Sequence, residues 1–213
     1  MENLVQEIYS AVLNGNASET KEKVQMALEN GSPAEELLNK GLIAAMKEVG
    51  QLFEDGEYFV PEMLISARAM KSGMTILRPI LVSQDIKPLG KVVIGTVKGD
   101  LHDIGKNLVS MMLEGSGFEI IDLGTDVTPE KFLEAINTHK PDIVGMSALL
   151  TTTMTNIEKT LRFLEENGAR KNLKVIIGGA PISQKYADEI GADGYAPDAS
   201  QAAIVAKRLM EVA

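Results

Sequence analysis

The chain of 213 residues is 45% hydrophobic and 24% charged, the balance of a soluble globular protein rather than a disordered or membrane-embedded one. The absence of cysteine excludes disulfides, thiolate zinc sites, cysteine-ligated iron–sulfur clusters and cysteine nucleophiles, so any metal must use another ligand. A net charge of -9 supplies no basic footprint for nucleic acid, no run approaches the ~20 apolar residues of a membrane span, and the opening MENLVQEIYS lacks a secretory pattern. The expectation is a cytoplasmic protein with neither a nucleic-acid nor a membrane partner.

Up to residue 81 the apolar positions recur at helical spacing. Leu4, Ile8 and Val12 mark a first helix, and Val24, Ala27 and Leu28 mark a second after the break at Gly15-Asn16. Ser32 is expected to cap a third helix with Pro33 at its first helical position. The stripe of that helix is Leu38, Leu42, Ala45, Val49 and Leu52, and a fourth helix repeats the rhythm with Met63, Ala67, Met70, Met74, Leu77 and Leu81. Residues 1–88 therefore read as a four-helix bundle with short connections, its methionines serving as flexible core filler. Between the third and fourth helices, Gly50 to Pro61 holds two glycines and a proline that interrupt the pattern, yet Phe53, Tyr58, Phe59 and Val60 crowd into it. Large apolar residues in a connector either tuck into the bundle or cover something apolar outside it; the residues alone favour tucking in.

Residues 82–90 lose the periodicity and end in proline and glycine, which reads as a linker. The pattern then changes kind over a second domain, residues 89–213. Short apolar runs rich in β-branched residues at 92–97, 119–123, 142–146 and 174–177, with a weak fifth at Gly194-Tyr195, read as strands covered on both faces. Helical segments lie between them at 104–116, 129–138, 153–168, 183–190 and 199–212. This alternation predicts an α/β domain with a flavodoxin-like, Rossmann-type parallel sheet of five strands in the order 2-1-3-4-5, with ligands at the carboxyl ends of the strands.

The first strand runs into Lys98-Gly-Asp-Leu-His-Asp-Ile-Gly-Lys106, the most polar and glycine-rich stretch of this half. A phosphate-cradling loop is ruled out, because five residues rather than four separate Gly99 from Gly105 and Asn107 stands where Ser or Thr should be. No GxGxxG turn supports a dinucleotide either. What remains is Asp100-x-His102-x-x-Gly105. A lone histidine is ordinarily a surface residue near a helix cap. Here Asp100 can hold the proton of one ring nitrogen and leave the other free for a metal, while Gly105 lets a bulky group approach the helix start.

Asp100-Leu-His102-Asp-Ile-Gly105 resembles the DxHxxG motif of cobalamin-binding domains, and the string from Val97 to Asn107 is similar to that of methionine synthase and of methanogen and acetogen corrinoid proteins. Ser147-Ala-Leu149 after the third strand resembles the SxL motif of the same family, and Gly178-Gly179 after the fourth resembles its GG. The segment from Phe53 through Leu64 is similar to the helical cap that lies over the upper corrin face in that family, with Phe53 and Val60 at its apolar cover positions. That likeness replaces the tucked-in reading of the connector.

The resemblance implies a cobalamin or related corrinoid whose benzimidazole base is displaced from cobalt and buried, with His102 as the lower axial ligand. Gly178 and Gly179 would admit the nucleotide tail and the Ser147 hydroxyl would bond the base. Thr153 would complete a relay with His102 and Asp100, with threonine where methionine synthase has serine. With no acid, base or nucleophile in an evident substrate pocket, the expectation is a non-catalytic carrier that takes a methyl group from a substrate-specific methyltransferase. A second methyltransferase would pass it to a thiol or folate, and a reductive activation protein is a further expected partner. The cap would swing on the linker. A B12-dependent regulator is the alternative, but no basic DNA-binding segment is present; a radical isomerase domain would lack the helical cap, and a cobalt-free flavodoxin-like domain leaves the three motifs unexplained. His139 is expected in a solvated loop at the opposite sheet edge, and Asp126, Pro181, Tyr195 and Asp198 in loops at the same edge as the motifs.

Overall fold

A computed structural model describes residues 2–211. The chain divides into two compact units, one ending at Lys87 and the other beginning at Pro88, with the three residues Gly115–Gly117 grouped with the first.

The first unit is helical. Its elements are α1 (Glu2–Leu13), α2 (Ala17–Glu29), α3 (Ala34–Glu36) running through a π-helical stretch (Leu37–Ile43) into α4 (Ala44–Glu54), and α5 (Val60–Ser83). They form four rods, as the spacing predicts. Asn16 caps α2 by accepting the Glu19 N–H, whereas Ser32 caps nothing: its hydroxyl is buried without a partner. The cap of α3 is Pro33, whose carbonyl accepts the Glu36 and Leu37 N–H groups, so the helix begins one residue later than expected. The π-helical stretch corrects the third stripe. It adds a residue to the turn, so Leu37 rather than Leu38 is buried together with Leu42, Ala45 and Val49. The connector is also shorter than the sequence suggests. Gly50 and Phe53 lie inside α4, and only residues 55–59 are outside helix, ending where Pro61 enters the first turn of α5.

The second unit is a doubly wound sheet. Its strands β1 (Lys91–Thr96), β2 (Glu119–Asp122), β3 (Ile143–Ser147), β4 (Lys174–Gly178) and β5 (Gly194–Ala196) alternate with α6 (Ile104–Gly115), α7 (Pro129–His139), α8 (Thr151–Glu166), α9 (Gln184–Ile190) and α10 (Ala199–Leu209). All pairings are parallel and the order is β2-β1-β3-β4-β5, as expected. Successive residues of one strand serve opposite cores. Val93, Val144, Val175 and Ile177 pack with α7 and α8 residues such as Phe132 and Leu161, while Val92, Ile143 and Ile176 pack with Leu113 of α6 and Ala202 and Val205 of α10. The edge strand β2 departs from the expected two-sided burial, since Glu119 and Asp122 are exposed. The last helix ends at Leu209, and the final residue of the expected span, Val212, lies outside the described residues.

Candidate functional site

Four strand ends form one row. Thr96 of β1 pairs with Ser147 of β3, Ser147 with Gly178 of β4, and Gly178 with Ala196 of β5. The three sequence motifs begin at this row, so the parallel register brings them to one edge of the sheet. The turn after β1 is built around Asp100, which is 1% exposed. One carboxylate oxygen accepts the His102 backbone N–H at 3.0 Å and meets the His102 ring at Nδ1 at 2.8 Å. The other accepts the Leu149 N–H at 2.8 Å, the Leu150 N–H at 3.4 Å and the Thr153 hydroxyl at 2.5 Å. Burial by itself would raise the pKa of this carboxyl group. The bonds from Thr153, from the His102 and Leu149 N–H groups and from the His102 ring outweigh it and hold Asp100 well below the usual carboxylate range.

His102 is therefore fixed at its main chain and at Nδ1, while its side chain stays half exposed and Nε2 takes no hydrogen bond among the described residues. Four aliphatic side chains are exposed in its turn and in the segment after β3. Leu101 is 73% exposed and Ile104 75%, and Leu149 and Leu150 are exposed beside them in the chain segment that grips Asp100. A Cβ added at Gly105 would meet nothing within 4 Å. Leu101, Ile104 and Leu150 were not legible as site residues. Further back, Lys106 is buried at the start of α6 and bonds the Asp122 carboxylate at 2.5 Å and the Asn107 side chain at 2.7 Å.

Gly178 and Gly179 have a structural reason of their own. A Cβ at Gly178 would stand 2.9 Å from the Ala196 carbonyl oxygen, and one at Gly179, where φ is +125°, only 1.9 Å from that of Ala148. What approaches these glycines in the structure is the neighbouring strand ends. Asp126 accepts the Gly99 N–H at 2.7 Å and so braces the His102 turn, while Asp198 caps α10 through the Gln201 N–H at 2.8 Å. Tyr195 packs half-buried against the core and Pro181 is half-buried in the turn after β4. His139 is the last residue of α7, not a loop residue, because the helix continues to the left-handed Lys140. In the helical unit Phe53 and Val60 are half-buried, and Phe59 is 64% exposed.

Residues 90–204 match the family described as the B12 binding domain, and residues 4–78 match a second B12 binding domain family. The chain belongs to the corrinoid proteins. It is 44% identical over 99% of its length to dimethylamine corrinoid protein 3 of Methanosarcina acetivorans, covering 98% of that protein. It is 41% identical over 93% of both chains to trimethylamine corrinoid protein 1 of the same organism. Among solved structures, the methanol:cobalamin methyltransferase complex of Methanosarcina barkeri matches with a TM-score of 0.89 and 31% identity, over 99% of this chain and 80% of that one. A cobalamin-binding protein from Desulfitobacterium hafniense matches with a TM-score of 0.79 and 32% identity, over 96% of this chain and 98% of that one.

The cofactor of the family is a cobalamin-type corrinoid, and the donor set here suits one. Among the described residues no group of three His, Cys, Asp or Glu side chains could hold a metal ion. A single imidazole suffices where a macrocycle supplies the equatorial ligands, and exposed Leu101, Ile104, Leu149 and Leu150 suit a large, largely apolar ring. No helix among the described residues is long and apolar enough to cross a membrane.

Proposed function

We propose that this corrinoid protein carries a methyl group between two methyltransferases, with the corrinoid bound base-off and His102 as its lower axial ligand. One observation carries the reading: an imidazole whose Nδ1 is tied to a buried carboxylate while Nε2 stays unbonded in a turn that exposes Leu101 and Ile104. The corrinoid, when bound, supplies a cobalt that accepts and releases the methyl group. The protein's own part is to hold the ligand. A carboxylate on Nδ1 selects the tautomer with Nε2 free and raises the donor strength of the ring. Thr153 donates to the same carboxylate and draws charge away from the imidazole, so threonine can serve here as serine would.

On this reading Ser147, Gly178 and Gly179 line the path of the nucleotide tail, and Leu149 positions Asp100 through its N–H. Residues 1–88 act as the cap, with Phe53 and Val60 covering the upper corrin face and residues 82–90 as the hinge. The donor-side partner is a substrate-specific methyltransferase, the acceptor-side partner passes the methyl group to a thiol or folate, and a reductive activation protein restores oxidised cobalt. The names of the dimethylamine and trimethylamine relatives make methylated amines the first donors to try.

The test is to load the protein with cobalamin, reduce it, and add dimethylamine, trimethylamine or methanol with a candidate methyltransferase, following the visible spectrum. Methylation of wild-type cobalt, with weakened cofactor retention and altered transfer in His102→Ala, is the expected result. An unchanged spectrum and unchanged turnover in His102→Ala would sink the assignment of the ligand.

A further inference from the structure

His102 is held by three bonds, and only two come from the DxHxxG motif. Asp100 takes its N–H and its ring. The third is at its carbonyl oxygen, which accepts the hydroxyl of Thr96 at 2.9 Å. Thr96 is the last residue of β1 and is fully buried. Its own N–H and carbonyl are engaged elsewhere, with Gly124 and Val127, so the hydroxyl alone links it to the turn.

What the bond does is fix the ligand's main chain from the sheet side. Asp100 is itself held by Leu149, Leu150 and Thr153 and reaches the His102 N–H and ring, whereas Thr96, on a central strand paired with β3, holds the His102 carbonyl. We infer that Thr96 is a positioning residue for the cobalt ligand: its buried hydroxyl anchors the His102 main chain to the rigid strand and so raises the effective concentration of the imidazole at cobalt. The inference rests on the reading of His102 as the axial ligand.

Valine has the shape of threonine without the hydroxyl, and alanine stands in the same relation to serine. The four proteins with Thr96, Thr96→Val, Thr96→Ser and Thr96→Ala form two pairs that differ in this bond at two side-chain sizes. Each is labelled with nitrogen-15 at histidine, loaded with cobalamin and reduced to the cobalt(II) state. Axial histidine then gives a doublet superhyperfine splitting in the electron paramagnetic resonance spectrum, whereas benzimidazole gives a triplet. Acid is added until the doublet is lost. Because protonated imidazole does not ligate, weaker ligation raises the midpoint. The hydroxyl-free member of each pair should lose the doublet about 0.3 to 1 pH unit higher, a twofold to tenfold weaker ligation, the worth of one neutral hydrogen bond. Equal midpoints within both pairs would overturn the inference, as would a midpoint that follows side-chain size alone. A triplet in wild type would remove the ligand reading itself, a distinct outcome.

Discussion

The turn that carries His102 and the connector that carries Phe59 both expose a large side chain, yet they are held in different ways. The His102 turn is tied from several elements distant in sequence: Thr96 on β1, Asp126 before α7, and Thr153 and Asn156 on α8. The Phe59 connector relies chiefly on its neighbours, with the Glu57 and Tyr58 N–H groups on the Leu52 carbonyl and the Phe59 N–H on Glu62. Its long-range bond is from the Tyr58 hydroxyl to the Leu13 carbonyl. The roles proposed for the two segments account for the difference. A metal ligand is directional and loses strength with small displacements, whereas apolar cover acts through area and tolerates approximate placement.

Substitutions should separate the two segments by the size of their effects. The largest effect is expected for Gly179→Ala, whose Cβ would meet the Ala148 carbonyl at a backbone angle that L-residues rarely adopt. It should destabilise the protein without cofactor by about 3 kcal/mol or more in urea unfolding. A cost near zero would show that the strand-end row yields easily. Next, Asp100→Ala should weaken cobalamin binding roughly 10- to 100-fold in equilibrium dialysis, the range for groups that orient a ligand through a hydrogen bond. Unchanged affinity would mean that the tethering of His102 is irrelevant to its use.

Removing the partner of buried Lys106 is smaller. Asp122 is 40% exposed, so Asp122→Asn should cost about 1 to 2 kcal/mol, less than the loss of a fully buried pair, read from thermal unfolding. The pH dependence has a fixed sign. Asp100 is held below its ordinary range in the folded protein, so its contribution to stability is complete above the unfolded value near 4 and is lost as pH falls below it. Urea midpoints of Asp100→Asn between about pH 6 and pH 2.5 should therefore fall less steeply on acidification than those of wild type. A steeper fall would reverse the assignment. The smallest effect is at the connector, where Phe59→Ser should change stability without cofactor by no more than about 0.5 kcal/mol. A large loss would mean that Phe59 belongs to the helical core.

Periodicity and motif spacing determined a great deal by themselves. The helical first half, the alternating second half, the strand order and the placement of Asp100, His102, Ser147 and Gly178 at one edge all follow from local patterns, because burial imposes its period on every residue of an element and parallel sheets place their loops by rule. The π-helical turn that exchanges Leu38 for Leu37 was hidden, because an inserted residue changes the phase without changing the composition. The hold of Thr96 on His102, the bracing of Gly99 by Asp126 and the exposure of Leu101 and Ile104 were decided only in the tertiary structure. Hydrogen bonds across tens of residues leave no period in the chain, and an aliphatic side chain announces that it is apolar without saying whether a core is there to receive it.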